Sequence, residues 1–352
     1  MNDTQLSSRQ KQILAVLQKN SKGLNRLQLE ELLQKQDIDL SKVTLIRDLN
    51  ELISAKYIKS QGVGKATKYV YNAHSLLAYF DLNTYFSKDL DQRGGFEKFY
   101  GELFELLDGL FTKEELLELK TLNQKYQKNI DSLSPDIYKK ELERFIIELS
   151  WKSSKIEGNT YSLLETEALI KEAKQAEGHP QAEAQMILNH KKAFDVIISH
   201  KDSFKNLTMQ NIYEVHQALT EKLNVEFGVR KNIVGIIGTK YTPLDNEWQI
   251  KEALETLLTI SGKMKNPFEK AFLLVVGLSY LQAFADGNKR TARLVGNAVL
   301  LAYNWAPLSY RNIDEVEYKQ ALLLFYEQHS LLHFKRIFID QFKFVVKNYF
   351  RS

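Results

Sequence analysis

Apolar residues along this chain recur mainly every three or four positions, which predicts helices, and two short stretches alternate instead, which predicts strands. Pro267 to Tyr280 is an apolar run of helical length, and Thr291 to Trp305 is another, with Pro307 just beyond it. Asp286-Gly287-Asn288 between them is a turn signal, so the second helix starts near Asn288. Upstream, Phe145, Ile146 and Leu149 mark an amphipathic helix that ends at Gly158-Asn159. From Asp314 onward Leu, Phe and Tyr repeat at helical spacing as packing residues. Helical runs are also expected near Glu97–Phe111 and Thr112–Tyr126, with a break at Ser132-Leu133-Ser134-Pro135.

The N-terminal segment has its own pattern. Gln10–Gln18, Leu27–Gln34 and Lys42–Ala55 read as helices, the third N-capped by Ser41 with Leu45, Leu49, Leu52 and Ile53 inward. Tyr57–Lys59 and Lys68–Tyr71 alternate around Gly62-Val63-Gly64 and read as a hairpin wing. This order predicts a winged helix-turn-helix and resembles the winged-helix domains of bacterial repressors. Charge adds to that picture. Net charge is +4, yet residues 1–70 hold 12 Lys/Arg against 7 Asp/Glu, so the basic excess sits there. Lys42, Thr44, Arg47, Lys65 and Lys68 are the candidate DNA contacts, from the third helix and the wing. Docking to a protein or to a second copy is the other use of such a unit.

Composition narrows the chemistry. The absence of cysteine excludes disulfides and thiolate catalysis. The histidines do not cluster at metal-ligand spacing, and the pair His329/His333 lacks the intervening Glu of a zinc helix. No signal peptide or membrane span is apparent, so the expected location is the cytoplasm.

The most informative stretch is Gln282-Ala-Phe-Ala-Asp-Gly-Asn-Lys-Arg-Thr-Ala-Arg293. It places Lys289, Arg290 and Arg293 in the first turns of a helix, where the backbone is already positive. An anion in front of that helix resolves the conflict: a phosphate held by backbone N–H groups and arginines, with Asp286 beside it for a shared magnesium ion. A tight helix–helix turn with a solvated basic face is the plainer alternative.

Phe284, Asp286, Gly287, Asn288, Lys289, Arg290 and Arg293 match in register the active-site signature of the Fic (Fido) family, which this segment resembles. The resemblance implies transfer of AMP from ATP to a Ser, Thr or Tyr hydroxyl of a target protein. It implies that Asp286 holds magnesium, that Gly287, Asn288 and Lys289 cradle phosphates, that Arg290 and Arg293 neutralise the β- and γ-phosphates, and that Phe284 anchors the loop. The family's proline is Ala283 here, and its histidine, the general base, is Gln282. A carboxamide cannot take a proton near pH 7. The nucleotide-binding half of the site is therefore expected to be intact and the proton-transfer half impaired.

Ser153-Ser-Lys-Ile-Glu157-Gly158 resembles the family's inhibitory motif, which implies that Glu157 pairs with Arg293 and spoils ATP orientation; an ordinary helix end is the alternative. Ile233, Val234, Gly235, Ile236 and Ile237 are β-branched and glycine-punctuated, and read as a short β-hairpin. That segment resembles the family's flap, which holds the target segment, and Arg230 and Pro243 fit the same pattern.

The resulting expectation is a mainly α protein. Residues 1–75 form a winged helix-turn-helix (α+β), 76–130 a helical linker region, and 131–352 a helical Fic domain with a β-hairpin flap and an N-terminal inhibitory helix. The expected activity is weak, autoinhibited AMP transfer using ATP and Mg²⁺. A non-catalytic, nucleotide-sensing transcriptional regulator is the alternative. The partners are ATP and a target protein, with DNA at residues 1–75 and a second copy of the chain as further candidates.

Overall fold

The computed structural model describes residues 7–351 apart from 19, 21–22, 37, 39, 55–56, 63 and 72–75. The chain begins with α1 (Ser8–Gln18), β1 (Leu24–Asn25), α2 (Arg26–Gln34), α3 (Lys42–Ser54), β2 (Ile58–Gln61) and β3 (Lys68–Tyr71). The strands form one antiparallel sheet in the order β1-β3-β2. Ile13, Leu14, Leu29, Leu45, Leu49, Leu52 and Ile58 are buried together in a core of their own, so the three amphipathic stripes do meet. A capping box between Asn25 and Gln28 starts α2, and the Ser41 hydroxyl accepts from the Thr44 N–H at the start of α3. Arg9 and the buried Asp48 tie α1 to α3 through an ion pair. The expected Ala55 end of the third helix and Val63 of the wing lie outside the described residues, as does the Lys65 side chain.

Then come α4 (Leu82–Phe86), α5 (Leu103–Leu106), α6 (Lys113–Ser132), α7 (Pro135–Ile156), α8 (Leu163–Glu172), α9 (Gln181–Ser199), α10 (Met209–Thr220), α11 (Glu247–Lys263), α12 (Pro267–Leu281), α13 (Asn288–Ala302), α14 (Glu315–Gln328) and α15 (Leu332–Asn348). The expected helix over Glu97–Phe111 is corrected: only the single turn α5 forms. Gly101 and Gly109 flank it, and its apolar residues act as plugs, since Leu103, Phe104, Leu107, Leu110 and Phe111 are all buried in the main core. The same core takes Leu119 and Tyr126 of α6, nearly all of α12 and α13, and the aromatic face of α15. Residues 103–126 therefore belong to the main hydrophobic core rather than bridging over it.

The two cores touch at the start of α15. Leu332 packs on the N-terminal core, the Leu331 N–H donates to the Leu76 carbonyl at 2.6 Å, and His333 Nε2 donates to the Phe80 carbonyl. No described helix is long and apolar enough to cross a membrane.

Burial keeps four histidines neutral. Loss of solvation lowers the pKa of His216 and of His329 to about 4, that of His190 well below its ordinary value, and that of His333 below it. A base whose folded pKa is depressed loses stability as pH falls, because the unfolded chain takes up the proton first. Urea unfolding should therefore show a marked drop in stability between pH 6.5 and 4, about 3 kcal/mol for a fully buried histidine such as His216. A flat profile over that window would mean these imidazoles are not held neutral.

Candidate functional site

The site is built where α12 gives way to α13. Gln282 ends α12 in a left-handed conformation (φ 51°), which turns the chain into a tight loop. The Asn288 side chain closes that loop: its oxygen accepts from the Phe284 N–H at 2.8 Å and its amide donates to the Phe284 carbonyl at 2.7 Å. Phe284 is buried and stacks on the His216 ring with centroids 3.8 Å apart. His216 Nε2 donates to the Asp286 carbonyl at 3.0 Å, so α10 supports the loop from behind. Gly287 caps α13 with φ 79°, and a Cβ there would come within 3.3 Å of Thr220, so both conformation and space call for glycine. Asn246, Asn266 and Asp314 cap α11, α12 and α14 with their side chains, but no side chain caps α13. Its first N–H groups are left for another acceptor.

The cations around that helix end differ in their engagement. Lys289 lines the open cleft. The buried Arg290 donates from Nη2 to Asp286 at 3.0 Å, while its Nη1 has no hydrogen-bond partner among the described residues. Arg293 is fully buried and faces α7: Nε donates to the Ser153 hydroxyl at 2.9 Å, Nη2 to the Ser153 carbonyl at 2.9 Å, and Nη2 lies 2.8 Å from the Glu157 carboxylate. Glu157 stands at the end of α7, with its side chain 20% exposed. Burial opposes its charge, but Arg293, Lys289 and Arg290 together outweigh this and hold the carboxyl below its ordinary pKa. The chain turns away at Gly158.

These groups border a cleft of about 450 Å³. One wall is Glu157, Gln282 and the 285–290 turn; the other is the loop Val234–Ile237 and the face of α14 carrying Lys319, Leu323 and Tyr326. Gln282 turns its amide back onto the Ser279 carbonyl at 2.6 Å. The expected β-hairpin over Ile233–Ile237 does not form. The segment carries no strand; Ile233 and Ile237 are exposed, Val234 and Ile236 are partly buried, and the chain turns at Ile237-Gly238. Its returning half is already paired elsewhere: the Thr242 N–H donates to the Glu97 carbonyl at 2.8 Å, and Thr242 bridges in parallel to Lys98. Arg230 holds the loop's base instead, donating to the carbonyls of Gln282 at 2.7 Å, Asn232 at 2.9 Å and Leu244.

One further expectation changes. The Asn288 side chain is engaged within the loop, so any anion contact from it is made by backbone. Arg293 faces Glu157, as the resemblance to the inhibitory motif implies, and also Ser153, and it does not line the cleft. Asp286 is 66% exposed at the cleft mouth, and among the described residues no group of three or more His, Asp or Glu is placed to hold a metal. A single carboxylate beside a phosphate site suits magnesium shared with a nucleotide, since that ion takes its other ligands from phosphate and water.

Residues 206–300 match the model of the Fic/DOC family. That stretch is similar to a Fic domain. A protein adenylyltransferase Fic of Nematostella vectensis is 26% identical over 220 residues, 59% of this chain and 52% of that protein. Protein adenylyltransferase fic-1 of Caenorhabditis elegans is 26% identical over 173 residues, covering 47% and 34%. The chain thus spans about half or less of the length of these curated relatives. The solved structure of C. elegans Fic-1 superposes with a TM-score of 0.57 at 19% identity, over 67% of this chain and 70% of that one. A Fic-domain signaling protein from Bacteroides thetaiotaomicron gives 0.53 at 18%, over 65% and 95%. The Fic fold is therefore shared at low identity.

Within the matched residues lie the loop, most of α13 and Arg230; Ser153, Glu157 and the α14 wall lie outside them. Sequence reading missed His216, a lone histidine whose stacking on Phe284 only the fold creates. It also missed Met186, Lys319, Leu322, Leu323 and Tyr326, which carry no motif; the last four reach the cleft as one face of α14. In the N-terminal unit, Lys42, Arg47 and Lys68 are exposed. The Thr44 hydroxyl is engaged with Ser41 at 2.8 Å, and Arg47 lies 4.0 Å from Glu51.

Proposed function

We propose that this chain binds ATP with magnesium in the cleft before α13 and transfers AMP, slowly, to a hydroxyl of a target protein, with Glu157 restraining the reaction. The observation that carries this reading is the uncapped N-terminus of α13, flanked by Lys289 and by Arg290 with its unpartnered Nη1. The relatives named adenylyltransferases support the nucleotide and reaction. The backbone of 287–289 would hold phosphate oxygens, and Arg290 would neutralise them. Asp286 would hold magnesium, which supplies charge neutralisation at the phosphates. In the reaction the target oxygen forms a bond to the α-phosphorus, the bond from that phosphorus to the β-phosphate oxygen breaks, and pyrophosphate leaves. The hydroxyl proton passes to water or to pyrophosphate, because the Gln282 carboxamide cannot take it. Glu157 occupies Arg293, which is then withheld from the terminal phosphate. Calorimetry with Mg-ATP should show binding to the native chain and tighter binding to Glu157→Gly. Absence of heat from both would remove the nucleotide reading.

For the N-terminal residues 1–75 we propose a winged helix-turn-helix that contacts DNA, followed by a connecting region to 130 and the Fic unit from 131. The three helices followed by the β2–β3 hairpin support it, as do the exposed Lys42, Arg47 and Lys68. Affinity for duplex DNA should fall steeply with salt, as basic side chains release counterions. Arg47→Ala should reduce sequence preference more than Lys68→Ala. Equal DNA binding by a chain lacking residues 1–75 would refute the assignment.

A further inference from the structure

We propose that Arg93, far from the signature in sequence and outside the family match, is a positioning residue that sets the gap between the 233–238 loop and α14. This rests on the reading above that the cleft they border takes a nucleotide.

The side chain is 6% exposed although Arg93 lies in a short irregular segment. Its Nη2 donates to the Gly238 carbonyl at 2.7 Å, where the cleft loop turns. Its Nη1 lies 3.5 Å from the Glu327 carboxylate at the end of α14. The guanidinium is also held over the Phe86 ring at 4.9 Å. One planar group therefore links the loop and α14, the two parts of one cleft wall, from behind, a task suited to a rigid fork with several donors.

The surrounding segment reinforces the link. Tyr85 donates to Glu327 at 2.7 Å, and the Phe96 N–H donates to the Glu327 carbonyl at 2.7 Å. Gly95 passes so close to that carbonyl that no Cβ would fit. Beyond Gly238, Lys240 pairs with Asp91 at 3.3 Å and Thr242 pairs with Glu97 and Lys98. Residues 85–98 thus form a strap across the back of the cleft. The loop needs one: its hairpin is absent, and Ile237 is 98% exposed, so apolar packing does not fix its far end. Arg230 holds the base of the loop and Arg93 holds its turn.

The test uses Arg93→Ala and Arg93→Lys in the full chain carrying Glu157→Gly, read by amide hydrogen exchange and by Mg-ATP calorimetry. Loss of a buried charge-assisted contact should speed exchange across 236–242 and weaken ATP about tenfold, while α12 and α13 exchange as before. Lysine, which can reach the loop or α14 but not fork between them, should fall between; it also serves if the alanine variant does not fold. Unchanged exchange in 236–242, or exchange raised equally in α12 and α13, would overturn the proposal. So would a loosened loop with unaltered ATP affinity. If the chain with Arg93 intact binds no ATP, the nucleotide reading fails, and exchange in 236–242 alone decides whether Arg93 positions the loop.

Discussion

Gln282→His combined with Glu157→Gly is expected to raise AMP transfer by about 10² to 10⁴-fold over the native sequence, the usual contribution of a general base. Two defects act at separate steps. Glu157 holds Arg293 at 2.8 Å, so on the proposed function a terminal phosphate would lack that counter-charge. Gln282 stands at the cleft edge with its amide turned onto Ser279, so no group there accepts the hydroxyl proton. Each single change should therefore give less than the pair. Label from α-phosphate-labelled ATP, incorporated into protein in a lysate, reads the outcome. Strong labelling by the native chain would show that another group takes the proton. Failure of the double variant despite ATP binding would show that the loop has lost more than its base.

Arg293→Ala should be the most damaging single change in the site. The guanidinium is fully buried and serves Ser153 twice and Glu157 once. Removing it strands a carboxylate that burial already disfavours, and breaking such a pair from one side costs about 3–5 kcal/mol. Glu157→Gln, which leaves a neutral partner, should cost less. The depressed pKa of Glu157 fixes the pH window: the contact is present above the ordinary carboxylate range and is lost as pH falls through the lower, folded value. Urea unfolding of the native chain, Arg293→Ala and Glu157→Gln at pH 7 and pH 3 checks both statements. Equal stability of the native chain and Arg293→Ala at pH 7 would mean that the ion pair contributes nothing.

Much of this protein is legible without coordinates because local rules and the fold agree. Pro267 begins α12, Ser134-Pro135 begins α7, and Thr112 with Glu115 begins α6, each through a cap the sequence displays. The turn at Asp286–Asn288 is equally local, since Gly287 alone meets its left-handed requirement without strain. Periodicity also places the inward stripes of α1 to α3, because a 3.6-residue repeat determines which side chains share a face.

Other features depend on partners distant in sequence. The β-branched run at Ile233–Ile237 reads as a hairpin, yet a strand needs a free neighbour, and Thr242 is already paired with Glu97 and Lys98. Glu97–Phe111 reads as a helix, yet its apolar residues serve as core plugs around one turn. His216 under Phe284, and the α14 wall of the cleft, arise only when helices far apart in the chain pack together. The sequence by itself determined α1 to α3, α6, α7, α12 and the basic helix start at Asn288, because those follow from neighbours a few residues apart. Only the tertiary structure decided that Arg293 also bonds Ser153, that the cleft loop is strapped by Arg93, and that four histidines stay neutral, because burial and charge pairing depend on what the folded chain brings alongside.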